Sequence, residues 1–142
     1  MIPNGTDLPC EYNCIFGISR PCQGIVPGGL HEVFRHGSSY LISGGQNGRV
    51  YWFRFEKLPQ RLHGTKIPRY TQKDLEEALD RASNDPILPG LTFSELIENR
   101  ITAVLTPLPE YVYKKWHFDR IFTLGDSAHK VKSQSSREAV VR

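Results

Sequence analysis

The N-terminal half of the chain alternates between short apolar runs and turn-forming residues, which is the pattern typical of β-strands. An apolar run at 12–19 lies between two prolines and predicts a buried strand. Runs at 31–35 and 39–43 predict two more strands. Residues 44–48 predict a turn, because Asn-Gly is the strongest short hairpin signal.

The next predicted strand, at 49–56, divides its side chains between two faces. Val50, Trp52 and, less clearly, Arg54 point to one face, since successive side chains alternate across a strand. The opposite face carries Tyr51, Phe53 and Phe55. We expect an antiparallel meander whose aromatic face lies against a core or a ligand pocket.

Two helices are predicted in the middle of the chain. The first begins with a capping-box-like pair, Thr71 and Asp74, and Asn-Asp-Pro at 84–86 ends it. Its apolar residues recur at helical spacing and are Leu75, Ala78, Leu79 and Ala82. The second helix is short and begins at a capping box over 92–95.

The C-terminal part returns to short strands. Strands are predicted at 102–106, before Pro107 and Pro109 interrupt, and at 111–116. The fold class that follows is α+β, with a mixed, mainly antiparallel sheet and helices on one side. Residues 131–142 lack apolar periodicity and are expected to form a frayed tail.

Composition places the chain among ordinary globular proteins. It has 142 residues, the length of one domain, and 39% of them are hydrophobic. The net charge of +3 is small and the basic residues are scattered, so no nucleic-acid partner is predicted. No signal peptide and no membrane-spanning apolar window is recognisable, and the localisation stays open.

Three cysteines, Cys10, Cys14 and Cys22, lie close together in the sequence. Three thiolates with His31 as a fourth ligand could bind zinc, but their spacing matches no common zinc motif. Small buried thiols are the favoured interpretation, and no metal site is predicted.

The most distinctive string, Leu-Gly-Asp-Ser-Ala-His-Lys, covers 124–130 and follows an apolar run. This order predicts a strand, a tight turn and the start of a helix. A carboxylate at a helix start, behind a glycine that lets a ligand approach, suits the hydroxyl and phosphate groups of a flavin nucleotide. As a bare dipeptide, Gly-Asp would instead indicate only that Asp126 caps the helix.

The string at 125–130 resembles the second flavin motif of the FAD-dependent aromatic-hydroxylase-type (group A) monooxygenases. Other strings resemble the fungal branch of that family that epoxidises or hydroxylates prenylated polyketides and indole diterpenes. They include Phe-Gly-Ile-Ser at 16–19, Asn-Gly-Arg-Val-Tyr-Trp-Phe at 47–53, Ile-Pro-Arg-Tyr-Thr at 67–71 and Thr-Phe-Ser-Glu-Leu at 92–96. Their order and spacing run through most of the chain.

The resemblance implies cofactor-binding roles for residues around the turn. Asp126 would hydrogen-bond the ribitol of FAD, with Gly125 and the backbone at Ser127 and Ala128 near the pyrophosphate. Arg120 matches the family's arginine before the strand and is counted with the cofactor-binding residues.

The resemblance also implies a substrate side and a reaction. Trp52 and Phe53 would lie on the sheet over the substrate, although no catalytic residue can be assigned. The family's chemistry reduces FAD with NAD(P)H and transfers one oxygen atom from molecular oxygen to an apolar substrate.

The same resemblance divides the chain into three parts. Residues 1–118 would form part of a substrate-binding sheet domain, and 119–130 would start the returning FAD-binding segment. Residues 131–142 depart from the family pattern, as a disordered or frame-altered tail. The Gly-x-Gly-x-x-Gly of the family's N-terminal Rossmann unit does not occur in this sequence.

Two functional hypotheses remain. In the first, the chain is a fragment of an FAD-dependent monooxygenase that acts on a hydrophobic secondary metabolite and does not retain FAD alone. In the second, the chain is an inactive truncated product, or a small protein that binds a hydrophobic ligand or partner. An exposed apolar sheet would favour some partner, with self-association as the simpler outcome, and membrane association is left open.

Overall fold

The computed structural model describes residues 8–130, apart from the side chain of Asp126. These residues fall into two compact units, here named the sheet unit and the turn unit. The sheet unit contains 13–57 and 69–107, and the described part of the turn unit contains 8–12, 58–68 and 108–130.

Eleven strands and two α-helices lie within residues 8–130. The strands are β1 (Pro9–Ser19), β2 (Leu30–Arg35), β3 (Ser38–Gly44), β4 (Val50–His63), β5 (Pro86–Leu88), β6 (Leu91–Thr92), β7 (Arg100–Pro109), β8 (Tyr111–Val112), β9 (His117–Phe118), β10 (Ile121–Phe122) and β11 (His129–Lys130). The helices are α1 (Gln72–Ala82) and α2 (Phe93–Glu98).

The largest sheet has five strands in the order β2-β3-β4-β1-β7. Strands β2, β3 and β4 pair antiparallel in sequence order, which confirms the predicted meander. The turn between β3 and β4 contains Asn47 and Gly48 at φ angles of 58° and 71°. Positive φ at two successive residues is what an Asn-Gly hairpin turn requires, so this prediction is also confirmed.

The core of the sheet unit lies between one face of the sheet and the two helices. Helix α1 buries the four residues predicted from their spacing, and α2 buries Phe93 and Leu96. The Phe93 ring meets the rings of Trp52 and Tyr40 edge-on, at centroid distances of 5.0 and 5.1 Å. Each fully buried large apolar side chain contributes about 1.5–3 kcal/mol, so this layer accounts for much of the unit's stability.

The two helix starts differ in how they are capped. The Thr71 hydroxyl accepts a bond from the Asp74 amide at 3.3 Å, and the Asp74 carboxylate accepts one from the Thr71 amide at 2.7 Å. This reciprocal pair confirms the first capping box. At α2 the Thr92 side chain makes no capping bond and pairs instead with the Ser94 hydroxyl at 2.7 Å, so the second predicted capping box is wrong.

Strands β4 and β7 continue well past their predicted ends. Strand β4 continues to His63. The second half of this strand is largely polar and contains Pro59, so the alternation of apolar and polar residues that predicts a strand is not visible there. Strand β7 runs through Pro107 and Pro109, which were expected to interrupt it. Because β7 is the last strand of the sheet, one side of its backbone needs no partner there, and the missing N–H of proline is tolerated.

The turn unit contains two short antiparallel pairs. Strands β9 and β10 form a hairpin closed by Asp119 and Arg120, and the Thr123 amide donates to the Trp116 carbonyl at 2.8 Å. Strand β11 pairs with β8. The strand predicted at 111–116 is therefore reduced to its first two residues.

No helix within residues 8–130 has both the length and the apolarity needed to cross a bilayer. In the same part of the chain, no three His, Cys, Asp or Glu side chains are grouped as metal ligands. The side chains of Cys10, Cys14 and Cys22 are buried as reduced thiols, as predicted. Burial raises the pKa of the Cys10 and Cys22 thiols and so favours their neutral form.

Candidate functional site

The distinctive string at 124–130 forms one turn of 3-10 helix, Gly125–Ser127, followed by strand β11. The predicted strand and tight turn are present, but the predicted helix does not form within 125–130. The Ser127 hydroxyl donates to the Leu124 carbonyl at 2.6 Å and accepts from the Leu124 amide at 3.2 Å. Such local bonds between a side chain and the backbone compete with helix formation, which explains the difference.

Gly125 leaves one side of this turn open. It adopts a φ of 57°, in the left-handed region that favours glycine, and a Cβ placed on it would meet nothing within 4 Å. A ligand could therefore approach its backbone closely. The role of Gly125 near a pyrophosphate stays a prediction.

The two amides predicted to lie near the pyrophosphate already have partners inside the turn. The Ser127 amide donates to the Leu124 carbonyl at 3.3 Å, and the Ala128 amide donates to the Gly125 carbonyl at 2.9 Å. Ala128 is also fully buried. In this conformation neither amide fits a phosphate of FAD.

The two other predicted cofactor residues also lie in turns. Asp126 contributes its backbone to the 3-10 turn, but its side chain lies outside the described residues, so its bond to the ribitol stays a prediction. Arg120 is exposed in the hairpin turn, after Asp119 with a φ of 50°. Its predicted role is likewise untested.

Trp52 belongs to the core of the sheet unit. Its side chain has no exposed surface, and its indole N–H donates to the Ser19 hydroxyl at 2.8 Å. The same hydroxyl donates to the Leu96 carbonyl at 2.7 Å. Trp52 therefore joins β4 to β1 and α2 and does not share a face with Phe53.

Phe53 lies on the opposite, outer face of the sheet and is partly exposed. Its ring centroid is 5.0 Å from that of Phe16 and 6.0 Å from that of Phe55, which is stacked almost parallel to it. Leu41 of β3 is its cross-strand neighbour and shares this face. The outer face thus offers a partly exposed aromatic surface of the kind that binds an apolar ligand.

The inner face of the sheet also contains a buried polar network that the sequence did not predict. The fully buried Tyr40 donates its hydroxyl to the Asp85 carboxylate and accepts a bond from Arg54 Nε at 3.1 Å. Arg54 is 6% exposed and donates to both carboxylate oxygens of Glu56, at 3.1 and 3.4 Å. Arg35 reaches the other Asp85 oxygen at 3.3 Å.

This network tethers the sheet to the segment that follows α1. Burial, together with the bond to Asp85, raises the pKa of Tyr40, so its hydroxyl remains a donor. The sequence signal for it was Arg54, a charged residue at an inward-facing strand position. A charge at such a position requires buried partners, although the sequence does not name them.

The chain is similar to curated proteins over most of its length. It is 36% identical to the FAD-dependent monooxygenase spyC of Aspergillus fumigatus over 132 residues, 93% of this chain. It is 39% identical to the FAD-dependent monooxygenase janM of Penicillium janthinellum over 124 residues, and 37% identical to the FAD-dependent monooxygenase anuJ of Penicillium roqueforti over 127 residues. The chain is homologous to a segment of fungal FAD-dependent monooxygenases. No family model matches it.

The homology covers a limited part of each monooxygenase. The chain spans 28% of spyC, 26% of janM and 16% of anuJ. The resemblance drawn from the string at 125–130 and the strings before it is thus confirmed. The individual roles of Arg120, Asp126 and Phe53 are not tested by it.

Proposed function

We propose that the chain is a segment of an FAD-dependent monooxygenase that epoxidises or hydroxylates a hydrophobic secondary metabolite. The observation that carries this proposal is the homology of 87–93% of the chain to proteins named FAD-dependent monooxygenases. FAD would supply the oxygen-transfer chemistry, with NAD(P)H as the reductant. The protein residues would bind and orient the substrate and keep water away.

The outer face of the sheet unit is the proposed substrate side. Phe53 offers a partly exposed ring between Phe16 and Phe55, and Leu41 adds a further apolar side chain. An apolar substrate gains free energy on such a surface by leaving water. Trp52 is buried on the other face, so its proposed role is packing.

The turn around Gly125 is the proposed flavin side. Because the Ser127 and Ala128 amides are engaged within the turn, few of the contacts that a dinucleotide needs come from this segment. We therefore expect that the isolated chain does not retain FAD. The measurement is flavin absorbance after mixing the purified chain with FAD and desalting; retained flavin with NADPH oxidation would contradict this expectation.

A chimera tests the monooxygenase proposal itself. The matched segment of spyC would be replaced by this chain, and flavin content and NAD(P)H oxidation would be measured beside unmodified spyC. A folded chimera that holds flavin supports the proposal, whereas a folded chimera without flavin contradicts it. Within the chimera, Phe53→Ala should raise KM for an apolar substrate while flavin content is unchanged. Glu77→Ala is the control, because Glu77 is exposed on α1, the helix that packs against the other face of the sheet.

The second candidate function is a small protein that binds a hydrophobic ligand or partner. The partly exposed rings of Phe16 and Phe53 favour it. An apolar fluorescent dye, read together with the flavin content of the chimera, would distinguish the two cases. Saturable dye binding by the isolated chain that Phe53→Ser abolishes while the fold is kept, together with a folded chimera that holds no flavin, supports ligand binding without flavin.

A further inference from the structure

The two edges of the five-stranded sheet differ in how readily they accept a further strand. Strand β2 (Leu30–Arg35) forms one edge and β7 forms the other. An edge strand presents backbone N–H and C=O groups that can pair with another chain. Strand β7 contains Pro107 and Pro109, which lack the N–H that such pairing uses. Strand β2 contains no proline, and its six residues pair with β3 without a register shift. The β2 edge is therefore the one suited to strand addition.

Exposed apolar side chains lie on one face of β2. Leu30 and Phe34 are 63% and 54% exposed. Glu32 lies between them and is paired with Leu41 of the outer face, so all three side chains of β2 share that face. On the inner face, Val33 packs against the core. The inner side of β2 is thus occupied, whereas its outer side presents an acidic side chain between two apolar ones to solvent.

The order of these side chains makes the β2 edge complementary to a second copy of itself. Two identical strands that pair antiparallel are related by a twofold axis, which closes the assembly as a dimer. If the axis passes through Glu32, Leu30 of each copy lies opposite Phe34 of the other, and both copies keep their outer faces on the same side. This register forms two apolar pairs. A shift of two residues in either direction would place Glu32 opposite Phe34 or Leu30 and would lose both pairs.

We propose that two copies of this chain associate through the β2 edge, with Glu32 at the twofold axis, and so join two five-stranded sheets into one of ten strands. The two Glu32 carboxylates repel each other across the axis, but both are exposed and can turn into solvent, so their cost is small. Because the contact is also small, we expect a weak dimer that forms between about 10 and 500 μM. The inference goes beyond the monooxygenase proposal and is independent of it, since neither flavin nor substrate takes part.

Disulfide crosslinking of the full chain tests the position of the axis. A residue on the axis lies opposite its own copy at a Cα separation of about 4.5–5.5 Å, which a disulfide can bridge. Glu32→Cys should therefore form a covalent dimer when oxidised glutathione takes two electrons from the two thiols, whereas the native cysteines are buried. Leu30→Cys is the matched control, because its two copies would lie about 14 Å apart, and it should crosslink at least about tenfold less. Equal crosslinking of the two variants overturns the proposal.

Sedimentation velocity tests the association itself. The average mass of the native chain should rise towards that of a dimer between about 10 and 500 μM. Phe34→Lys should weaken the dimer at least about tenfold, because Phe34 belongs to both apolar pairs. Val104→Lys is the matched control, since Val104 is 53% exposed on the other edge strand, and it should leave the association unchanged. A native chain that stays monomeric throughout, or an equal effect of the two substitutions, overturns the proposal.

Discussion

Gly17 is a position where the sheet unit has no room for a side chain. A Cβ there would overlap three atoms of the Trp52 indole. The indole is fully buried and bonded to the Ser19 hydroxyl at 2.8 Å, so it cannot move aside without losing that bond. Overpacking and the loss of a buried hydrogen bond both destabilise the fold, whereas replacing glycine by alanine restricts the unfolded chain and offsets part of that loss. The net cost is about 2–5 kcal/mol. Gly17→Ala should lower the free energy of unfolding by this amount.

The assay for this prediction is urea denaturation followed by far-UV circular dichroism, which does not depend on Trp52 fluorescence. Trp52→Phe removes the overlapping ring atoms, so Gly17→Ala should cost about 1–3 kcal/mol less in that background. Phe53→Leu is the control, because Phe53 points to the other face. In the Phe53→Leu background the cost of Gly17→Ala should change by less than about 0.5 kcal/mol. An equal cost with Trp52 and with Phe at position 52 would refute the steric argument.

Two further predictions concern polar groups of the sheet unit. Tyr40→Phe removes the donor to one Asp85 carboxylate oxygen and the acceptor of Arg54 Nε, and should cost about 1–3 kcal/mol in urea denaturation; an unchanged midpoint would show that the Tyr40 hydroxyl adds nothing to stability. Hydrogen bonds from Thr71 lower the pKa of Asp74 below its ordinary value of 3.8. The stability from this pair is therefore present above that value and is lost as the pH falls through the lower folded pKa. Thr71→Ala should destabilise the chain at neutral pH and much less in strong acid, as measured by thermal melts; an equal loss at both pH values would contradict this sign.

Elements that depend on neighbouring residues were predictable from the sequence. The Thr71–Asp74 capping box, the Asn47-Gly48 turn and the buried stripe of α1 each arise from groups within a few residues of one another. The alternation along β4 also predicted correctly that Trp52 and Phe53 point to opposite faces.

Elements that depend on distant partners were not predictable. Strand β7 continues through Pro107 and Pro109 because of its place at the edge of the sheet, and that place is set by strands far away in the sequence. The bond between Tyr40 and Asp85 joins residues 45 positions apart. Arg54 indicated that a buried acceptor was needed, but only the fold shows that Glu56 and Tyr40 provide it.

The string at 124–130 shows why a motif can reveal ancestry without fixing a local structure. Its residue types are enough to recognise a flavin monooxygenase, and the homology to spyC and janM confirms that recognition. A helix start is different, because a first helical turn is unfavourable until a partner or further turns stabilise it. Here Ser127 bonds back to Leu124 instead. The residue types of a motif can therefore persist through descent while the local conformation depends on the contacts that surround the turn.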